Sequence, residues 1–165
     1  MTSTPSRGSA LSVRRTTVDD PLARPLLDEL AHEYLTRYGS DADLRRYPPE
    51  EFAPPQGAFL LLLEHGRPVA GGAYRRRNPH TVELKRIWTH SAHRRRGLAR
   101  RVLTVLEREA ADRGYSRVYL TTGPRQPEAK GLYLAAGYRP LFDPSADPES
   151  IGLLPFEKHL ETPKP

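Results

Sequence analysis

At 165 residues, with 37% hydrophobic, 28% charged and a formal net charge of +6, the chain is long enough to bury one substantial core and too apolar to stay disordered. It contains no cysteine, which excludes a disulfide framework, a thiolate zinc site and a thiol nucleophile, and suits a reducing cytoplasm. The longest apolar run, Ala58 to Leu63, falls far short of the ~20 residues that span a bilayer, and Met1 to Ala10 lack the apolar stretch of an export signal, so a cytoplasmic protein without membrane insertion is expected.

Residues 1–10 are rich in Ser, Thr, Pro and Gly and are expected to be a disordered tail, followed by one domain over 11–160 and a second tail over 161–165. Leu11 to Arg15 reads as a short strand. Asp19, Asp20 and Pro21 resemble a helix start, and Leu22, Leu26, Leu27, Leu30, Tyr34 and Leu35 follow at helical spacing until Gly39. Pro48, Pro49, Pro54 and Pro55 then exclude long regular structure. Ala58 to Glu64 and Val69 to Arg75, joined by His65-Gly66-Arg67-Pro68, form a predicted hairpin.

Thr81 to Trp88 alternates Val82, Leu84, Arg86 and Trp88 against Glu83, Lys85 and Ile87, the period of a strand. Leu98, Val102, Leu103, Leu106 and Ala110 make an apolar helical face that Gly114 closes. Val118 to Thr121 is the next strand, Pro127 opens a helix that runs to Gly137, and Tyr138 to Phe142 and Leu153 to Leu160 are the last strands, with a loop from Asp143 to Ser150. The order β, α, β-β-β, α, β, α, β, β predicts an α/β (α+β) fold: a mixed, mostly antiparallel sheet of six or seven strands flanked by helices, with one parallel pair around the central strands.

The positive charge is local. Between Arg75 and Arg113 there are 12 cations against four acids, while the rest of the chain is slightly acidic, so one place on the surface should meet an anionic partner. Within that stretch His93-Arg94-Arg95-Arg96-Gly97-Leu98-Ala99 lies between a strand and an amphipathic helix. A glycine there admits close backbone approach, and the free amides and dipole of the helix start favour a pyrophosphate. For any one arginine, solvated surface charge is the alternative reading.

Arg94, Gly97 and Ala99 match the Q/R-x-x-G-x-G/A motif, and on these residues the sequence resembles the GNAT superfamily of acyl-CoA-dependent N-acetyltransferases. Glu83 to Thr89 resembles the strand that precedes the motif in that family. Gln126, Ala129, Leu132 and Tyr133, followed by Gly137-Tyr138, are similar to its later N-x-x-A-x-x-L-Y helix, with Gln126 in place of the family Asn. Ser91 also stands where a Pro is frequent. The resemblance spans about Leu11 to Leu160 and is most specific from Glu83 to Tyr138.

The resemblance implies acetyl-CoA as cosubstrate, without a metal, and an amine acceptor; the absence of cysteine makes direct attack without a covalent acetyl-enzyme the simplest route, and the aromatic and acidic residues expected on the acceptor side suit a small cationic amine. It would lay the pantetheine along Ile87, Trp88 and Thr89 and the pyrophosphate over Arg95, Arg96, Gly97, Leu98 and Ala99, with Arg94, Gln126 and Ala129 completing the cofactor site. Tyr133 matches the family tyrosine that protonates the departing thiolate. Glu83 is a candidate base, its alternative being an ion pair with Arg86 or a neighbouring arginine. Tyr34, Tyr38, Phe52 and Glu83, with the loop from Asp143 to Ser150, are expected on the acceptor side, and Trp88 serves either the acceptor pocket or the core. His90 and His93 flank the loop, and no histidine has metal-ligand spacing.

A homodimer is compatible with this reading. Two other functions compete with it. A basic nucleic-acid-binding module would use the same arginines but carries no helix-turn-helix, zinc-finger or aromatic RNA motif, and an acyl-CoA-binding sensor of the same fold would not turn its ligand over.

Overall fold

Seven strands form one sheet in the order β1-β2-β3-β4-β5-β7-β6, in a computed structural model that describes residues 11–161. They are β1 (Leu11–Arg15), β2 (Ala58–Glu64), β3 (Arg67–Asn78), β4 (Thr81–Thr89), β5 (Arg117–Thr122), β6 (Arg139–Pro140) and β7 (Leu154–His159). Four helices connect them: α1 (Arg24–Tyr38), α2 (Leu98–Asp112), α3 (Pro127–Ala135) and α4 (Pro148–Ile151). Every pairing is antiparallel except β4 with β5, the arrangement the element order implies. The expected tail over 1–10 and the last four residues of the other tail lie outside the described residues.

Helices cover both faces, which explains the unbroken apolar run of β2. Leu60 and Leu62 face the core under α2, where Val102, Leu103, Leu106 and Ala110 meet Val82, Leu84, Val118, Leu120 and Phe156. Phe59, Leu61 and Leu63 face a second core, formed with Leu26 and Leu30 of α1, Phe52, Ala73 and Trp88. The middle of β3 has no side chains because none fits. A Cβ on Gly71 would lie 2.7 Å from Leu26 Cδ1, and one on Gly72 would lie 2.6 Å from Ile87 Cδ1.

Three details depart from the sequence reading. The expected strand from Tyr138 to Phe142 shrinks to Arg139 and Pro140: proline cannot donate to a ladder, and Tyr138 turns inward to 3% exposure. A short helix, α4, interrupts the expected loop from Asp143 to Ser150. Asp147 accepts a hydrogen bond from the Glu149 amide at 3.1 Å with Pro148 in the first turn, so its Asp-Pro start was a legible signal.

The third concerns β4, where the alternation slips. Gly71 pairs with Trp88 and Ala73 with Lys85, so Arg86 and Ile87 together oppose Gly72, and Arg86 adopts a left-handed φ of 60°. This is a β-bulge. It corrects the predicted phase: Val82, Leu84 and Ile87 face α2, while Trp88 joins the α1-side core and Arg86 stacks on Phe52 of that core. The parallel pairing stops short of the bulge. β4 matches β5 only from Thr81 to Glu83, and β5 then continues alone against β7.

Candidate active site

Where β4 and β5 part, a cavity of about 660 Å³ opens, with Ile87, Trp88 and Thr89 on one side and Gln126, Ala129, Leu132 and Tyr133 on the other. The start of α2 closes one end through Arg94, Arg95, Gly97, Leu98, Ala99 and Arg100, and Leu30, Glu33 and Arg37 of α1 wall another side. Sequence reasoning therefore named most of the lining. It missed the α1 residues, Arg100 and Glu128.

The loop into α2 is shaped for an anion. Arg95 and Gly97 have φ of 64° and 73°, a left-handed alternation that turns successive amides to one side. No side chain caps α2, and its first backbone bond runs from Arg101 N to Gly97 O at 3.1 Å. The amides of Leu98, Ala99 and Arg100 are thus unused within the helix. A Cβ on Gly97 would meet nothing within 4 Å, so the space over this backbone is open.

Arg96 does not join its neighbours. It pairs with Glu64 at the end of β2 and its Nη1 lies 2.8 Å from His93 Nδ1. It is absent from the cavity lining, which corrects the expectation that three arginines converge there. His90 Nδ1 accepts from the Ala92 amide at 3.0 Å and so shapes the loop. Glu29, which the sequence did not single out, holds the same loop: its Oε1 accepts from Trp88 Nε1 and from the Ser91 amide, each at 3.0 Å. Burial works against its charge, but the bonds from Ser91 and Trp88 and the nearby His90 hold the carboxyl below the usual range.

Tyr133 is 7% exposed and lines the cavity, with its ring 5.6 Å from that of Tyr138 and 5.7 Å from that of Phe156. Burial, with a smaller contribution from Tyr34, pushes the phenol well above the ordinary tyrosine range. Tyr34 is itself pushed up, first by burial and then by Asp43 and Glu33.

Gln126 ties the cavity together. Its Oε1 accepts from the Gly123 amide at 3.2 Å, Thr122 Oγ1 at 3.3 Å and the Tyr38 hydroxyl at 3.2 Å. Tyr38 in turn accepts from the Arg125 amide at 3.2 Å. Arg37 pairs with Glu128 at 2.6 Å and donates to Arg125 O at 2.8 Å. The end of α1 is thereby strapped to the start of α3 beside the cavity.

The remaining expected residues fall elsewhere. Phe52 is 2% exposed, beneath Arg86, and reaches no open surface. Glu83 is 4% exposed and lies outside the cavity lining; its partners are Arg75 at 3.0 Å and Lys85 at 3.8 Å, not Arg86. Arg75 also bonds Glu51 at 2.7 Å and stacks 4.3 Å from the Tyr47 ring centroid.

Residues 24–138 match the family described as Acetyltransferase (GNAT) family. The chain is 31% identical over 107 residues to YsnE of Bacillus subtilis (strain 168), an uncharacterized N-acetyltransferase, an alignment that covers 62% of this chain and 71% of that one. Its fold is similar to that of an acyl-CoA N-acyltransferase of Klebsiella pneumoniae, with a TM-score of 0.72, 24% identity and coverage of 92% and 98% of the two chains. It is similar also to yncA, an acetyltransferase of Salmonella typhimurium solved with its cofactor acetyl-CoA, with a TM-score of 0.67, 18% identity and coverage of 94% and 97%. The family match takes in the bulged strand, the glycine loop and the Tyr133 helix that enclose the cavity, and this chain belongs to the GNAT family of acetyltransferases.

Proposed function

We propose that this chain transfers an acetyl group from acetyl-CoA to the primary amine of a small acceptor, cationic in solution, by direct attack within a ternary complex. The observation that carries the reading is the opening of the sheet after Glu83: a single cavity contains both the unused amides at the start of α2 and the Tyr133 ring. Acetyl-CoA is the cofactor of the yncA relative, and the cavity suits it. The amides of residues 97–100, with Arg94, Arg95 and Arg100, would hold the pyrophosphate, and the unpaired edge of β4 at Ile87, Trp88 and Thr89 would hold the pantetheine as a strand holds a neighbour.

An amide near Trp88 or Thr89 would then face the thioester carbonyl, where negative charge develops as the amine nitrogen attacks. As the carbon–sulfur bond breaks, the Tyr133 hydroxyl gives its proton to the leaving sulfur, and it recovers one by way of water from the attacking nitrogen, which sheds its second proton as it becomes the amide. Its raised pKa keeps the phenol protonated at working pH. The same desolvation also raises the basicity of the thiolate, so burial does not remove the driving force.

Glu83 is better explained as part of the scaffold, since both of its cationic partners are already at hand. The ammonium proton then leaves through water. Glu83→Gln should lower stability by about 1–3 kcal/mol and reduce the rate by the same factor from about pH 6 to 9.5. A loss concentrated at neutral pH, with an unchanged melting temperature, would instead make Glu83 the base.

The reading is tested by initial rates with acetyl-CoA and an accepted amine varied together. Intersecting double-reciprocal lines are expected, and incubation with acetyl-CoA alone should leave the intact protein mass unchanged. Parallel lines with one acetyl group added to the protein would overturn direct attack.

A further inference from the structure

Helix α1 bridges the opening in the sheet. Glu29 ties it to Trp88 and to the Ser91 amide, at the end of β4, and Arg37 and Tyr38 tie its last turn to Arg125 and Gln126, at the start of α3. Glu33 is four residues from Glu29 and four from Arg37, so the three share one helix face, with Glu33 about 6 Å along the axis from each. Its side chain is therefore carried on the stretch of α1 that crosses between the parted strands. There it lines the cavity together with Leu30, Trp88, Thr89 and Tyr133.

Arg37 is the one ion-pair partner of Glu33 among the described residues, and it is shared. Its Nη2 lies 3.3 Å from Glu33 Oε1, while its Nη1 lies 2.6 Å from Glu128 and donates to Arg125 O at 2.8 Å. Two carboxylates on one guanidinium leave an excess of negative charge on this side of the cavity. The other cations of the lining, Arg94, Arg95 and Arg100, belong to the loop and first turn of α2, where the pyrophosphate would occupy them. Of the two acids, Glu128 is the outer one, its side chain 54% exposed against 21% for Glu33. Solvent screens Glu128 more strongly, so a cation inside the cavity is drawn chiefly to Glu33.

We infer that Glu33 binds the ammonium group of the acceptor and makes the site select a charged amine over an uncharged one. This rests on the acetyltransferase reading given above and names the group that recognises the acceptor within it. A carboxylate–ammonium bond is charge-assisted, and beside the apolar walls of Leu30, Ile87 and Leu132 it is stronger than in open water. The ammonium proton still leaves through water. As the freed nitrogen attacks, it regains positive charge, so the carboxylate favours substrate and transition state alike. Such uniform binding appears in KM rather than in kcat, and Glu33 is a specificity residue.

The test compares primary alkylamines with their 2,2-difluoro analogues in the wild-type protein, with saturating acetyl-CoA at about pH 8.5, where the parent amine is charged and fluorine leaves the analogue largely uncharged. The charged member of each pair should have the lower KM by about tenfold or more. In Glu33→Gln, which keeps the size and removes the charge, the two KM values should converge while the affinity for acetyl-CoA stays unchanged. Glu33→Asp should keep part of the preference. A merely structural Glu33 would move both KM values together. Melting temperatures report whether each variant folds, and if Glu33→Gln does not, the wild-type comparison and the Asp variant decide. Equal KM values within the wild-type pairs, or a preference that survives Glu33→Gln, would overturn the inference while leaving the acetyltransferase reading intact. Failure to acetylate any amine would overturn both.

Discussion

Tyr133→Phe is expected to lower kcat by about 10²–10⁴-fold while leaving the affinity for acetyl-CoA essentially unchanged. The substitution removes one hydroxyl from a ring that is 7% exposed and packed edge-on against Tyr138 and at a tilt against Phe156, so the aromatic packing survives. In the proposed mechanism the hydroxyl is the proton donor: the ring lines the cavity, and burial keeps the phenol protonated well beyond neutral pH. Losing it leaves the departing thiolate to take its proton from water. The effect should appear in kcat, because the donated proton matters only as the carbon–sulfur bond breaks. A Phe variant with full kcat on the identified acceptor would remove Tyr133 from the mechanism.

The second large effect is expected at Gly97. Changing it to Val should weaken acetyl-CoA binding by tenfold or more, about 1.4 kcal/mol or greater, read by calorimetric titration. The cause is backbone rather than packing. No atom lies within 4 Å of a Cβ at this position, but its φ is 73°, a conformation that a β-branched residue adopts only with strain. Relief of that strain would turn the amides of Leu98 and Ala99 away from the site. The extra methyl groups would also occupy the open space over the loop. An unchanged dissociation constant would show that the phosphates are held elsewhere.

Local signals in the sequence carried much of this structure. The apolar stripe from Leu98 to Ala110 marked α2, Gly97 lay where a strand feeds the start of that helix, and Tyr133 lay within a proline-opened helix. Each depends on residues near one another in the chain. What could not be read was the bulge at Arg86, because an alternating pattern has no means of marking an inserted residue and no glycine signals its left-handed backbone. That single insertion moved Arg86 and Trp88 to the opposite face. Arg96 likewise could not be told from Arg94 and Arg95, since what separates it is Glu64, a partner 32 positions away. The strap from Tyr38 to Gln126 joins residues 88 positions apart, and the role of Glu29 beneath Trp88 spans 59; both depend on the finished fold.

A crystal structure with acetyl-CoA bound would show directly whether the parting of β4 and β5 is the seat of catalysis. The pyrophosphate should lie within hydrogen-bond distance of the amides of residues 97–100, the pantetheine amides should pair with the main chain of Ile87 to Thr89, and the sulfur should stand within ~3–4 Å of the Tyr133 hydroxyl. Acetyl-CoA seated outside the cavity, for instance against the exposed guanidinium groups of Arg76 and Arg77 at the far end of β3, would contradict the assignment of the site and of every residue role that depends on it.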